Sequence, residues 1–492
     1  MNTSIKSRSV NLKNIADFLG VETKLDLKVS GITSDSRAIK PGDLFVALPG
    51  AKVHGANFID SAVSANASAV LTDEAGVRLV AGKLPTLEIT DPRRILGELA
   101  SWFANSPSNS FELYGVTGTN GKTTVCTLLT QFWKADNRVT GQIGTLGVEI
   151  AGTTFKTAFT TPEADQLQKI FQEAREANVK SVVMEVSSIA IEMGRVNGSK
   201  FKLVAFTNLS QDHLDFHGDL ASYAEAKRKL FNLEFAESAI VNIDDELGAK
   251  IYSQAPIPVQ TFSTGNKKAD WFFERIETQA NETAVAIRGT GGILIEGQTK
   301  LIGKHNLENL LLAVAMAVTS GVDALVVAAQ IPHLVGASGR LEKVENSKGI
   351  MALVDYAHTP DAVRNVLSAI TPQNGKLIGV LGCGGDRDRS KRPLMGQELA
   401  KYCDVSIFTS DNPRSEDPEI ILNEMCAELV LDDSKLRIID RREAIATAVT
   451  LASPGDCIIV LGKGHELGQE INGEIRPFDD RVELAKAIEL LA

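Results

Sequence analysis

The chain has 492 residues, enough for about three domains, and 43% of them are hydrophobic, which is ample for several cores. Its formal net charge of −11 argues against broad electrostatic binding to nucleic acid or to an anionic membrane, although a local basic pocket could still hold phosphates. Five scattered cysteines without metal-ligand spacing indicate free thiols in a reducing compartment, so we expect a cytoplasmic protein. Met1 to Lys13 precede no apolar signal segment, and the longest apolar run, residues 310–318, is too short to cross a bilayer. We therefore expect a soluble protein without membrane insertion.

The first segment, residues 1–109, alternates short strands with turns and helices, and its clearest unit is the turn and strand of residues 39–48. A polar stretch over residues 105–110 then predicts a linker. It separates this domain from a second one, residues 110–335.

The second domain opens with the most informative motif of the chain. Residues 111–116 form a predicted buried strand, residues 125–133 form an apolar helix, and a glycine-rich turn lies between them. Such a turn points backbone N–H groups at phosphate oxygens, while Lys122 adds a mobile cation and the Thr123 hydroxyl can ligate Mg²⁺. The predicted nucleotide-binding residues of this loop are Gly118, Thr119, Asn120, Gly121, Lys122, Thr123 and Thr124.

Further apolar runs, residues 181–186, 203–207 and 239–243, alternate with helical segments and predict a mostly parallel sheet covered on both faces. A β-rich stretch over residues 271–302 departs from this rhythm, and a buried helix follows it. Glu185 ends one of the buried strands, where an unpaired carboxylate is costly, so metal ligation is favoured over a structural salt bridge.

Two helix starts are predicted in this domain. Thr161 supplies an N-cap hydroxyl and Pro162 takes the first helical position. Ser222 and Glu225 form a capping box, which places Lys227 in the first turns of its helix.

The third domain, residues 336–492, repeats the α/β pattern, and we expect a Rossmann-like sheet. Four apolar runs each end in a loop of glycines and charged groups, at residues 355–358, 382–387, 411–414 and 462–466. Ligands bind beyond the carboxyl ends of the strands in open parallel sheets. The four loops are therefore expected to form one pocket, although solvated turns would explain any one of them alone.

The glycine of the phosphate-binding turn lies one residue earlier than in the generic motif, and residues 118–123 resemble the loop of the Mur ligase superfamily. These ATP-dependent enzymes add amino acids to the peptidoglycan precursor or, in a sister branch, glutamate to folates. The resemblance covers nearly the whole chain in order. It departs at Ile189, where the family usually has His, and at Ala337 and Ser338 before the Gly339–Arg340 segment.

The resemblance implies a catalytic set of Lys122, His213 and Lys227. It implies that Thr123, Glu185, His213 and Lys227 hold Mg²⁺, with two ions expected, and that Lys227 is carbamylated and so becomes an anionic oxygen ligand. From the residues alone, Lys227 would be a surface lysine. Further ATP contacts implied by the family are Asn306, Arg340, Asp355 and His358.

For the acceptor, the resemblance implies binding of a UDP-N-acetylmuramoyl dipeptide by Ser36, Thr160, Thr161, Ser187, Arg195 and Lys227. The Asp411 to Arg414 loop resembles that of the ligases that add meso-diaminopimelate rather than lysine. A guanidinium can grip the distal carboxylate that lysine lacks, although Arg414 could also be a surface arginine. The expected diaminopimelate site comprises Arg387, Asp411, Asn412, Arg414, Gly462 and Glu466.

The implied reaction converts the D-glutamate carboxylate into an acyl phosphate, from which the amine then displaces phosphate. A monomer and closure between domains are expected. Three alternatives remain open: a lysine-adding enzyme of the same family, a ligase like folylpolyglutamate synthetase, and a non-catalytic nucleotide-binding regulator.

Overall fold

A computed structural model describes residues 9–50, 53–278, 282–370, 372 and 375–491. Its first sheet is parallel, with the order β3-β4-β5-β6, and a separate antiparallel pair joins β1 to β2. The strands of this part are β1 (Val10–Asn11), β2 (Lys28–Val29), β3 (Gly31–Thr33), β4 (Asp43–Val46), β5 (Ala69–Thr72) and β6 (Thr86–Glu88). Its α-helices are α1 (Leu12–Leu19), α2 (Ile59–Ser64), α3 (Glu74–Val80) and α4 (Pro92–Phe103). The predicted linker contains a short 3₁₀ turn, Pro107–Ser110.

The central sheet has the order β10-β9-β8-β11-β7-β12-β13-β14-β15-β16-β17. Its strands are β7 (Glu112–Thr117), β8 (Thr140–Gly144), β9 (Gly147–Ile150), β10 (Thr153–Phe155), β11 (Ser181–Glu185), β12 (Leu203–Phe206), β13 (Ala239–Asn242), β14 (Val259–Ser263), β15 (Trp271–Thr278), β16 (Thr283–Arg288) and β17 (Leu294–Thr299). Its α-helices are α5 (Lys122–Ala135), α6 (Ala164–Glu176), α7 (Ser188–Glu192), α8 (Leu214–His217), α9 (Leu220–Arg228), α10 (Glu246–Gln254), α11 (Lys304–Thr319) and α12 (Ala324–Gln330).

This sheet confirms the predicted mostly parallel arrangement. Strands β8, β11, β7, β12, β13, β14 and β15 run parallel, whereas the β-rich stretch continues the sheet in antiparallel sense through β16 and β17. Helices α5 and α11 cover one face, and α6 and α10 cover the other. Residues 310–317 of α11 are wholly buried, which explains why that helix is apolar all round.

The third sheet has the order β18-β19-β23-β20-β21-β22, and every neighbouring pair is parallel except β18 with β19. The strands here are β18 (Glu342–Val344), β19 (Met351–Asp355), β20 (Leu377–Cys383), β21 (Val405–Ser410), β22 (Lys435–Arg437), β23 (Cys457–Leu461), β24 (Gly468–Ile471) and β25 (Glu474–Pro477). The α-helices are α13 (Pro360–Ser368), α14 (Lys391–Tyr402), α15 (Pro418–Met425), α16 (Arg441–Leu451) and α17 (Asp480–Glu489).

Helices α13, α14 and α15 pack on one face of this sheet, and α16 and α17 pack on the other. The four apolar runs predicted from sequence are β19, β20, β21 and β23, so their carboxyl ends lie at one edge. Strands β24 and β25 form a separate antiparallel hairpin beyond that edge.

Both predicted helix starts are wrong. Helix α6 begins at Ala164, and the Thr161 hydroxyl instead donates to the Glu185 carbonyl (2.9 Å) and accepts from the Ser187 amide (3.1 Å), because β11 ends beside it. Helix α9 begins at Leu220, and the Asp219 carboxylate caps it by accepting from the Ser222 amide (2.7 Å). Lys227 therefore lies in the last turn of α9.

No helix within the described residues combines the length and apolar character needed to cross a membrane. All five cysteines are free, as predicted.

Candidate functional site

The phosphate-binding loop joins β7 to α5, and its backbone is possible only with glycine at two positions. Gly118 and Gly121 have positive φ angles of +146° and +88°. A Cβ atom at Gly118 would collide with the Thr207 hydroxyl, and one at Gly121 would collide with the Asn309 amide oxygen. The chain therefore approaches its surroundings too closely for any side chain at these two turns.

The segment after β12 holds this loop in place. The Thr119 amide donates to the Asn208 carbonyl (2.8 Å), the Asn120 amide donates to Asn208 Oδ1 (3.0 Å), and the Thr207 hydroxyl donates to the Asn120 carbonyl (2.6 Å). The loop is thus fixed before any ligand binds. Thr123 and Thr124 are buried in the first turn of α5.

Lys122 and Lys227 converge on one carbonyl oxygen. Each Nζ lies 2.9 Å from the Gly118 oxygen, and Lys122 Nζ also donates to the Thr119 carbonyl (2.8 Å). Lys227 is 1% exposed, so it is not the surface lysine that its neighbours in sequence would indicate. Burial lowers the pKa of Lys227 well below its usual value, and the charge of Lys122 lowers it further.

Tyr223, on the same helix as Lys227, packs against the Lys227 amine. Lys227 Nζ lies 4.3 Å from the centre of the Tyr223 ring, and the Tyr223 hydroxyl is 3.2 Å from Thr119 Oγ1. One buried tyrosine therefore links the amine of α9 to the phosphate-binding loop.

Glu185 is 1% exposed and is bound by uncharged donors. Its Oε1 accepts from the Thr123 hydroxyl (2.9 Å) and the Thr145 amide (2.8 Å), and its Oε2 accepts from the Thr145 hydroxyl (3.2 Å). A carboxylate and the Thr123 hydroxyl, side by side at the mouth of the loop, are the hard oxygen donors that Mg²⁺ prefers. These two residues therefore fit a magnesium site.

His213 lies on the other side of the loop. Strands β11 and β12 both pair with β7, so the strands that precede Glu185 and His213 are not neighbours, and β7 lies between them. His213 is half-exposed and has a positive φ of 53°, and its Nε2 lies 3.5 Å from Asp212 Oδ2. Burial lowers the pKa of His213, and the charge of Asp212 opposes this shift.

Within the described residues, three or more His, Cys, Asp or Glu side chains nowhere form a metal-binding group. Of the four residues predicted to hold Mg²⁺, only Glu185 and His213 are of these types. An uncarbamylated Lys227 is an amine, which does not bind Mg²⁺.

The four expected ATP residues outside the loop lie where the second and third domains meet. Asn306, in the first turn of α11, is buried and donates its amide to the Ile302 carbonyl (2.9 Å). The Arg340 guanidinium carbon lies 4.5 Å from the centre of the Tyr356 ring. Asp355 accepts from the amides of residues 341 and 357, both at 2.7 Å, and burial raises its pKa while Arg340 opposes the rise.

His358 completes this group. Its Nδ1 lies 2.8 Å from the Tyr356 carbonyl, so Nδ1 carries the proton and Nε2 is left as an acceptor. Burial lowers the pKa of His358 to about 4, and Lys391 contributes to that shift.

The expected acceptor residues Thr160, Thr161, Ser187 and Arg195 are brought together beside Glu185. Thr145 Oγ1 lies 3.2 Å from Thr160 Oγ1, and Arg195 donates to the Thr161 carbonyl (3.2 Å). Ser36 lies in the turn after β3. Its neighbour Ser34 is bonded through both its amide (3.0 Å) and its hydroxyl (2.9 Å) to Asp165 of α6. The first domain thus touches the helix that follows the Thr160 segment.

The loops at the edge of the third sheet lie close to one another, and the expectation that they form one pocket stays a prediction. A Cβ atom at Gly462 would lie 2.6 Å from Asp411 Oδ2, and one at Gly464 would lie 2.7 Å from the Tyr356 Cβ atom. At Gly384 it would lie 3.0 Å from Arg414 Nη1 and 3.8 Å from the Cγ atom of the exposed Arg387.

Lys463, which sequence reasoning missed, organises the acidic part of this group. It is fully buried, and its Nζ donates to Asn412 Oδ1 (3.0 Å) and Glu466 Oε2 (2.9 Å) and lies 4.0 Å from Asp411 Oδ1. The Asn412 amide also donates to Glu466 Oε2 (2.7 Å). Both donors engage the same carboxylate oxygen of Glu466.

A signal for Lys463 existed, because it stands between two glycines in the loop of residues 462–466. Thr145 gave none, since its role depends on β8 lying beside β11.

Three family models match the chain: "Mur ligase family, catalytic domain" over residues 28–104, "Mur ligase middle domain" over 116–317, and "Mur ligase, glutamate ligase domain" over 339–464. The chain is 42% identical to a UDP-N-acetylmuramoyl-L-alanyl-D-glutamate–2,6-diaminopimelate ligase of Streptomyces coelicolor, over 98% of this chain and 97% of that protein. It is 43% identical to the ligase of the same name from Streptomyces avermitilis, over 97% and 96% of the two chains. A solved structure with that name superposes with a TM-score of 0.68 at 33% identity, covering 98% of this chain and 99% of the other.

Proposed function

The chain belongs to the Mur ligase family, and we propose that it adds meso-diaminopimelate to UDP-N-acetylmuramoyl-L-alanyl-D-glutamate in peptidoglycan synthesis, with conversion of ATP to ADP and phosphate. The observation that carries the choice of amino acid is the grouping of Arg414 with Asp411, Asn412 and Glu466 at one sheet edge. The names of the full-length relatives agree with it.

ATP supplies the phosphoryl group that activates the D-glutamate side-chain carboxylate as an acyl phosphate, and Mg²⁺ shields the phosphate charge. Lys122 would leave the Gly118 and Thr119 carbonyls to meet the phosphate oxygens. Because those carbonyls already hold its Nζ at the loop, the cation would need to move only a short distance.

Thr123 and Glu185 would hold one magnesium ion, and His213 would hold a second together with Lys227 as a carbamate. A buried amine whose pKa is lowered carries the lone pair that attacks CO₂, and this supports the carbamate. The nitrogen would release one proton to water as the carbamate anion forms. The new anion would then sit beside Lys122, which offsets its charge.

Arg414 would bind the distal carboxylate of diaminopimelate, and Glu466 and Asp411 would accept from its amino groups. Lysine has no such carboxylate, and losing a charge-assisted hydrogen bond costs roughly 1.5 to 3 kcal/mol. Lysine would therefore be a poor substrate. Arg387, exposed beside Arg414, would draw the substrate in.

Residues 1–109 would bind the UDP end of the acceptor, residues 110–335 would bind ATP, and residues 336–492 would bind the amino acid. The enzyme would act as a monomer in the cytoplasm.

A phosphate-release assay with an amine panel tests the proposal. With ATP, Mg²⁺ and the UDP-muramyl dipeptide, we expect release with meso-diaminopimelate and at least about tenfold less with lysine at equal concentration. Release with lysine alone would favour the lysine-adding enzyme. Release with folate and glutamate would favour a folylpolyglutamate synthetase-like ligase, and no release with any acceptor would favour a regulator.

A further inference from the structure

The β24–β25 hairpin is bonded along its backbone to the loop that carries Arg414. The Arg414 amide donates to the Glu470 carbonyl (3.1 Å), and the Asn472 amide donates to the Arg414 carbonyl (2.7 Å). Arg414 has a positive φ of 53°. Residues other than glycine pay for this conformation with strain, so the two bonds clamp Arg414 in a backbone state that it would otherwise leave.

The same hairpin also holds the Arg414 side chain. Glu470 Oε2 lies 3.4 Å from Arg414 Nε, and Arg414 Nη1 donates to the Gly385 carbonyl (2.6 Å). The guanidinium is therefore fixed from two sides. Its terminal edge, formed by Nη1 and Nη2, still has N–H groups free to form two parallel bonds with a carboxylate.

We propose that Glu470 is a positioning residue for amino-acid selection, which aims the terminal edge of Arg414 at the distal carboxylate of the incoming amino acid. This inference rests on the proposed function. Glu470 is partly exposed, as is Arg414, so the carboxylate steadies the guanidinium without neutralising it in a closed core. Substrate and Glu470 occupy different edges of the guanidinium, so they do not compete.

The contact between the Glu470 carboxylate and Arg414 can be removed without disturbing the other bonds of the hairpin. Glu470 also donates its amide to Asn412 Oδ1 (2.9 Å), and Gln469 Nε2 donates to the Asp411 carbonyl (2.7 Å). Neither bond, nor the backbone bonds to Arg414, uses the Glu470 carboxylate. A Glu470→Gln variant therefore keeps the loop and loses the charge.

We expect Glu470→Gln to raise the KM for meso-diaminopimelate about fivefold, with kcat, the KM for ATP and the melting temperature unchanged. The matched control is Glu474→Gln, which removes the same charge from the same hairpin but from a side chain paired with Arg476 (2.9 Å). An unchanged or lowered KM in Glu470→Gln, or an equal rise in Glu474→Gln, would overturn the inference.

A double-mutant cycle with Arg414→Ala shows whether Glu470 acts through the arginine. Glu470→Gln should add no further rise in KM once Arg414 is gone, whereas additive effects would overturn the positioning role. A wild-type enzyme without diaminopimelate-dependent phosphate release would refute the proposed function itself. Wild-type activity with no response to Glu470→Gln would refute only this inference.

Discussion

The phosphate-binding loop and the loop group of the third sheet edge are built in opposite ways. The first is one contiguous turn, held through its own backbone groups, which bond to the carbonyl and side-chain oxygens of Asn208 and to the Thr207 hydroxyl. The second is assembled from four loops that are distant in sequence, and charged side chains around the buried Lys463 hold it together. A backbone cradle suits any nucleotide triphosphate, whereas side chains can be tuned to one amino acid. Substitutions in the two regions should therefore impair the enzyme in different ways.

Lys122→Met tests the first region and should have the largest effect. It keeps the length of the side chain and removes the cation, so we expect kcat to fall about 10³-fold with every amine that the enzyme accepts. Phosphate release measures this, and circular dichroism checks the fold. A loss confined to one amine would contradict the assignment of Lys122 to the phosphate step.

Lys227→Ala also tests the region of the phosphate-binding loop. We expect activity to fall about 10²-fold because an oxygen ligand is lost, and to return in part on addition of short carboxylic acids. Lys229→Ala is the control, since that lysine pairs with Glu192 at the surface (2.6 Å). An active Lys227→Ala enzyme, or one indifferent to carboxylic acids, would argue against a carbamate.

The contrast between the regions also explains what could be predicted from the sequence. The sheets and the loop of residues 118–124 follow from local patterns, since a buried strand, a glycine turn and a helix stand next to one another. The gathering of the four loops at one edge followed from the parallel order of their strands. The helix start assigned to Thr161 failed because β11 competes for its hydroxyl, and nothing local to residue 161 reveals that strand.

The helix start assigned to Ser222 failed for a local reason, because Asp219 supplies the cap instead and places Lys227 in the buried last turn of the helix. The remaining features depended on distant contacts and could not be predicted. Strand order alone decides that β7 separates Glu185 from His213. The support that Glu470 gives Arg414 depends on where a hairpin folds.

Arg414→Ala tests the second region. We expect the KM for meso-diaminopimelate to rise about 10- to 100-fold, as fits the loss of a charge-assisted bond, while the KM for ATP stays within about twofold. Arg476→Ala is the control, because its guanidinium lies on the neighbouring hairpin and pairs with Glu474. Unchanged kinetics with meso-diaminopimelate would remove Arg414 from the site.

The smallest effect concerns the junction of the two regions, where His305, His358 and His465 lie near Arg340. Burial lowers the pKa of each from 6.5 to about 4, and the charge of Arg340 contributes in each case. Between these two pH values the unfolded chain binds more protons than the folded one, so the free energy of unfolding must fall as the pH drops from about 6.5 to about 4. Thermal melts across this range should show the fall. Because carboxylates titrate there too, the decisive comparison is a variant with Asn at all three positions, whose melting temperature should depend less on pH than that of the wild type; parallel profiles would show that the histidines do not couple the junction to pH.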